Sequence, residues 1–147
     1  MKKKMLIILA CIILLLLAAN SIKIKRTDII HKQVHKYNEG YGVLSMPIRE
    51  NAEALKVYDC KVTLTLTCTE GELKHSMVID NDVKFEDVIN SNEKKEYTYY
   101  VGNILEDDIK LDWNYDASNS KFKGNLCIKA EFKESILDYL LSRIVNN

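Results

Sequence analysis

Apolar and polar positions follow three rhythms along this chain, and each rhythm predicts an element. Met5–Ala19 is an unbroken run of fifteen apolar residues, with Lys2, Lys3 and Lys4 before it and Lys23, Lys25 and Arg26 after it. A helix that crosses a bilayer needs about 20 such residues, because the hydrocarbon core is about 30 Å thick and a helix rises about 1.5 Å per residue. Reading on through Ile22 and Ile24, with Lys23 snorkelling, brings the run to about that length. Two readings follow. One is an uncleaved anchor whose Lys cluster holds the N-terminus inside and sends the rest of the chain across the membrane. The other is a secretory signal peptide cleaved near Ala18-Ala19-Asn20-Ser21. Ile8-Leu9-Ala10-Cys11 also has the letters of a lipobox, but eight apolar residues follow Cys11, where a lipidated cysteine should end the run.

The second rhythm is period two. From Val57, the residues Tyr58, Cys60, Val62, Leu64, Leu66 and Cys68 alternate with Asp59, Lys61, Thr63, Thr65, Thr67 and Thr69, which predicts a strand with its Thr row facing water. Glu70-Gly71 reads as a turn, and Leu73, His75, Met77 and Ile79 as the returning strand. A hairpin over residues 57–79 would then set Leu64 opposite Met77. Tyr41–Pro47, Tyr97–Val101, Ile109–Tyr115 and Phe122–Phe132 read as further strands, with Gly124 marking a bulge. Asp80–Asn92 reads as a polar, turn-like segment, and Arg49–Leu55 as a turn or short helix.

The third rhythm is helical. Ile136, Leu137, Leu140, Leu141 and Ile144 make one apolar stripe on a helix over Lys133–Val145. Ile30, Val34 and Tyr37 make a shorter stripe on a juxtamembrane helix capped by Thr27 and ended by Gly40. Strands that cluster between helical ends favour segregated layers. The expectation is a mainly β, antiparallel sandwich-like domain with a docked C-terminal helix, behind an N-terminal membrane helix. An α+β antiparallel sheet with a helix on one face is the alternative. Residues 1–26 form the basic and apolar leader, and 27–147 a single extracytoplasmic domain.

Charge changes this picture. The chain is formally neutral as a whole, but residues 27–147 carry 15 Lys and Arg against 21 Asp and Glu, a net charge of −6. An acidic domain is repelled by phosphate backbones, so nucleic acid is not an expected partner. Cys60, Cys68 and Cys127 cannot all pair with one another, and Cys60 and Cys68 lie too far apart on one strand to bridge. The chain is not a disulfide scaffold.

Candidate chemistry is thin. His31, His35 and Glu39 fall four residues apart on the expected juxtamembrane helix, where two His can share a metal. A zinc-protease turn needs Glu directly after the first His, and Lys32 stands there. A solvated helix face explains the three equally well. Asp112, Asn114, Asp116, Ser118 and Ser120 alternate like ligands of a calcium loop, but such a loop needs Gly and Glu where this chain has Ala117 and Lys123. The wet face of a strand running into its turn is the plainer account. The carboxylates of Glu86-Asp87 and of Glu106–Asp108 fall in turn-like segments without an apolar pocket to raise a pKa. Tyr97, Tyr99 and Tyr100 offer an aromatic contact patch or ordinary strand packing. No cofactor motif is present.

These observations lead to a non-catalytic, membrane-tethered, single-pass module. It is held through Met5–Ala19 with its N-terminus inside, and it binds a protein partner or supports an envelope assembly. A small secreted or anchored hydrolase with its site formed across loops is the alternative.

Overall fold

The computed structural model describes residues 2–38, 40–48, 56–104, 109–118 and 121–145. The chain runs α1 (Lys2–Ser21), β1 (Lys23–Tyr37), β2 (Tyr41–Pro47), β3 (Val57–Ile79), β4 (Asp82–Asn90), β5 (Lys94–Ile104), β6 (Lys110–Asp116), β7 (Phe122–Ser135) and α2 (Ile136–Val145). It is a mainly β, antiparallel fold with a helix at each end, as the alternation predicts. Arg49–Leu55 and Glu106–Asp108 lie outside the described residues.

One strand organises the fold. β3 is 23 residues long and belongs to two sheets. Its first part lies between β7 and β5, and β1 extends that sheet beyond β7. Its second part lies between β6 and β4, and β2 extends that sheet beyond β6. The sheet therefore curls on itself, with β3 turning the corner between two faces. Inward rows from both sheets make a single core. β3 supplies Val62, Leu64, Leu66, Leu73 and Met77, β6 supplies Leu111 and Trp113, and β7 supplies Phe122, Leu126, Ile128 and Phe132.

The expected hairpin over residues 57–79 is corrected here. Leu64 pairs with Tyr97 and Ile128 rather than Met77, and Met77 pairs with Phe85 and Trp113. The buried positions are even-numbered from Cys60 to Cys68 and odd-numbered from Leu73 to Ile79. A two-residue turn and a bulge produce the same change of parity. The register against β7 slips between Cys68 and Glu70, and Gly71 adopts a left-handed φ of +83°, so the strand bends without reversing. The reversal comes ten residues later. Asp80 and Asn81, at φ +53° and +63°, form a two-residue loop with Ile79 paired to Asp82. A type I′ turn needs two residues that tolerate positive φ, which Asp80-Asn81 supplies and Glu70-Gly71 does not. The segment expected to be turn-like, Asp80–Asn92, is accordingly mostly strand β4.

The juxtamembrane helix is also corrected. Lys23–Tyr37 is strand β1, paired with β7 along its length and bulged between Ile29 and His31. A short helix at this place would have left the edge of β7 unpaired, and fourteen ladder positions outweigh a three-residue helical stripe. The C-terminal helix forms as expected, but from Ile136 rather than Lys133. It lies at the end of β7 and beside α1, not across a sheet face.

Candidate functional site

The inward row of β1 is unusual for a sandwich. Arg26, Asp28, His31, His35 and Tyr37 are half-buried and, with the more exposed Gln33 among them, stand opposite the inner residues of β7 from Phe132 to Phe122, while Ile30 at the bulge also packs on the core. Because β1 is an edge strand, this row lies at the rim of the core, where polar tips reach solvent while their stems pack. Arg26 forms a 2.8 Å ion pair with Glu134, whose side chain is fully buried. The guanidinium pKa is raised, chiefly by that hydrogen bond.

Further along the row, His31 Nε2 lies 2.9 Å from His35 Nε2, and Tyr37 Oη lies 2.7 Å from His35 Nδ1. Only one proton fits between the two facing nitrogens, so one imidazole donates and the other accepts. Tyr37 stacks on Tyr115 with ring centroids 4.1 Å apart, and His35 lies against Trp113 at 5.5 Å. Gly42 makes room for this wall, since a Cβ there would fall 2.4 Å from the Tyr115 hydroxyl. Burial lowers the His31 pKa, and burial together with His31 lowers that of His35. Burial raises the Tyr37 phenol. The three side chains thus form a neutral hydrogen-bonded relay at neutral pH.

A strand, not a helix, brings His31 and His35 together: residues four apart share a face in both, and two long rings span the greater distance. Glu39 lies outside the described residues. Among the described residues no group of three or more His, Cys, Asp and Glu is placed to hold a metal ion, and neither imidazole hydrogen-bonds a Ser hydroxyl or a Cys thiol.

A second polar cluster joins β3, β4 and β5. Asp87 accepts from Tyr97 Oη at 2.6 Å and from Lys95 Nζ at 2.9 Å. These two bonds, Tyr97's first, hold its carboxyl well below the usual range. Tyr97 stacks on Phe85 at 3.9 Å, and both rings meet the edge of His75. His75 is 2 % exposed and points into the core, as the alternation requires. Its Nε2 is 3.5 Å from Tyr97 Oη, and its Nδ1 is buried without a hydrogen-bond partner.

Burial pushes the His75 pKa down to about 4, although Asp87 opposes the shift. The unfolded chain takes up a proton near pH 6.5 and the folded chain only near 4. Stability from this group is therefore complete above about 6.5 and is lost as the pH falls. Each pKa unit corresponds to about 1.4 kcal/mol, so the expected loss by pH 4 is on the order of 3 kcal/mol. Denaturant melts between pH 7 and pH 4 should show that slope in the wild type and a shallower one in His75→Leu. His31 and His35 contribute with the same sign.

The β6 row lies on the outer face of its sheet. Asp112 accepts from Ser45 Oγ at 2.5 Å, Asn114 Nδ2 donates to Ser76 Oγ at 3.1 Å, and Asp116 accepts from the Ser118 amide at 2.8 Å. Ser118 Oγ also bonds the same Asp116 oxygen. A calcium loop coils its ligands around one point, whereas a strand spaces alternate residues about 6.6 Å apart. Asp112, Asn114 and Asp116 are therefore the wet face of a strand. With Tyr41, Val43, Lys74 and Ser76, Asn114 and Asp116 border a shallow groove of about 290 Å³. Its rim exposes Tyr41 and Val43.

Comparison with known proteins adds one fact. The likeness is in fold alone. A protein of the Bacillus endospore appendages, described as a family of disulfide-linked pili, superposes with a TM-score of 0.51 at 10 % identity, over 79 % of this chain and 94 % of that one. The coat protein of Tobacco streak virus does so with a TM-score of 0.51 at 9 % identity, over 78 % and 88 % of the two chains. No protein-family model matches the sequence, and no curated protein matches it either. The neighbours are jelly-roll-like sandwiches of a pilus and a virus coat.

No pattern in the sequence announces the His75–Asp87–Lys95–Tyr97 cluster. Its members come from three strands and share no spacing. The inward parity of His75 was the one available signal. The Tyr97, Tyr99 and Tyr100 patch divides between two faces: Tyr97 and Tyr99 pack toward the core, while Tyr100 is exposed and donates to Asp59 at 3.1 Å.

Proposed function

We propose that this chain is a membrane-tethered, non-catalytic assembly module. Its sandwich lies on the far side of the membrane from Lys2–Lys4. The observation that carries this reading is the junction at Ile22. α1 holds a candidate membrane span of 19 residues, Lys3–Ser21, apolar from Met5 to Ala19, and none of its apolar window is buried against the sandwich. Ile22 alone separates that helix from β1. A 20-residue helix is about 30 Å long, the thickness of a hydrocarbon core. An apolar helix with no protein cover is stable only in lipid, and a one-residue junction holds the sandwich close to the membrane surface.

The assembly part of the reading is supported by the fold and its edges. β1 and β5 flank one sheet, and β2 and β4 flank the other. Among the described residues each is paired along one side only, and another chain can add a strand to the other side. The neighbours are a protein of disulfide-linked pili and a virus coat protein. Their likeness to this chain supports a structural role and names no partner.

Intact-mass analysis of the protein from carbonate-washed membranes tests the tether. The expected result is a mature chain that retains Met5–Ala19 and stays with the membrane. A mature start between Asn20 and Ile22, with the protein released, would replace the tether with a secreted domain. Amine cross-linking in the same membranes should trap species larger than one chain. A purely monomeric pattern would remove the assembly role.

A further inference from the structure

α2 is an amphipathic helix whose apolar side is half-buried at Ile136 and Leu137 and open from Leu140 onward. At 100° per residue, Ile136, Leu137, Leu140, Leu141 and Ile144 fall within an arc of about 140°. Leu140, Leu141 and Ile144 remain 50, 46 and 73 % exposed with the sandwich and α1 both present. In a helix that served only to close the domain, this stripe would be its most buried part.

Its starting point and its direction are both set by contacts. β7 ends at Ser135, which pairs with Lys23, the first residue of β1. The Ile136 amide donates to the carbonyl of Ile22 at 2.9 Å. Ser135 Oγ accepts from the Asp138 amide at 3.0 Å, so Ser135 caps the helix. α2 therefore starts level with the point where α1 leaves its apolar stretch. The Tyr139 ring lies 5.5 Å from the Arg26 guanidinium. That contact turns the Tyr139 side of the helix toward β1. The apolar arc is centred roughly 130° away from Tyr139 at 100° per residue, so it faces outward from the sandwich.

We propose that α2 lies in the membrane interface beside α1, with Leu140, Leu141 and Ile144 among the lipid acyl chains. This rests on the reading of α1 as a membrane anchor and adds a second contact to it. A single helix leaves a domain free to pivot about its exit point. A second apolar helix in the same plane sets which face of the sandwich points along the membrane and which points away. Interfacial helices sink their apolar face about 5–10 Å into the boundary between headgroups and acyl chains. A ten-residue helix with three exposed large aliphatics fits that depth.

The full chain, reconstituted in phosphatidylcholine nanodiscs carrying doxyl-labelled lipid, tests this with three single variants: Ile13→Trp in α1, Ile144→Trp in α2 and Tyr41→Trp on the outer face of β2. Wild-type emission, from the buried Trp113, is the baseline. The expected result is that Ile13→Trp loses most of its emission to a label deep in the acyl chain, Ile144→Trp to a label near the headgroup, and Tyr41→Trp to neither. Ile13→Trp quenched with Ile144→Trp unquenched and red-emitting would overturn the interfacial helix and leave the anchor standing. Ile144→Trp blue-shifted yet unquenched would mean that protein covers the stripe, a second copy being the first suspect, and would also overturn it. An unquenched Ile13→Trp would remove the anchor itself.

Discussion

Gly71→Ala is expected to cost more than about 4 kcal/mol, a size that single substitutions reach only through a specific mechanism. Here the mechanism is a backbone collision. Gly71 sits at the corner of β3 with φ +83°, and a Cβ added there would lie 1.4 Å from the carbonyl oxygen of Lys121. Lys121 leads directly into β7, and Gly71 is itself paired with Phe122. Relief would require moving the start of a central strand and reopening the corner that joins the two sheets. Gly102 separates this effect from conformational strain alone. It has φ +92°, but its nearest neighbour would be 3.9 Å from a new Cβ. Gly102→Ala should therefore cost only the left-handed penalty, about 1–2 kcal/mol. Urea melts of the full chain in detergent, followed by Trp113 fluorescence, measure both. Equal losses at the two glycines would mean that the corner is not tightly packed against residue 121.

Leu64→Ala is expected to cost about 2–5 kcal/mol, out of the 5–15 that a small domain holds. Leu64 is fully buried in the middle of β3, between Tyr97 on β5 and Ile128 on β7. Its loss leaves a cavity bounded by three strands that are held by their ladders and cannot close in. Thr63 and Thr65 point to the other face, where Thr63 meets Thr98 at 3.3 Å and Thr65 meets Glu96 at 3.4 Å. Thr63→Ala and Thr65→Ala should each cost about 1 kcal/mol or less, the range of outer-face strand substitutions. Losses at Thr63 and Thr65 as large as at Leu64 would mean that a second layer covers the Thr row.

The alternation around Leu64 was legible because burial on one face of a strand imposes period two whatever the strand pairs with. The pairing itself was not. Cys68 to Leu73 shifts the buried parity once, and a two-residue turn and a bulge shift it identically. What separates them is the number of residues able to take positive φ, and Gly71 alone is too few for a type I′ turn. Asp80-Asn81 carried the better turn signal, but its neighbours Val83, Phe85 and Ile89 repeat too loosely to advertise a strand. β4 is a strand because β3 is there to pair with it.

The helical stripe over β1 misleads for a related reason. Ile30, Val34 and Tyr37 match a helical stripe, and the inward row Arg26, Asp28, His31, Gln33, His35 and Tyr37 is too polar to read as one face of a strand. An edge strand at a core rim tolerates that polarity because its tips reach water. The candidate site divides the same way. Asp112, Asn114 and Asp116 lie where plain alternation put them. His31 and His35 do meet, but through extended backbone and beside Trp113 and Tyr115, which are distant in sequence.

By itself, the sequence determined the quantities that depend on each residue's own chemistry and its near neighbours. These are the apolar length of α1, the inward and outward rows of β3, β6 and β7, the amphipathic stripe of α2 and the acidity of the part beyond residue 26. Tertiary structure decided whatever depends on partners far along the chain. It made β3 one strand shared by two sheets, turned 23–37 into an edge of β7 and gathered His75, Asp87, Lys95 and Tyr97 from three strands. It also left the α2 stripe open beside α1. Local patterns report which side of an element is dry, but a backbone hydrogen bond between strands is satisfied equally well by many partners. Only the packing of the whole core selects among them.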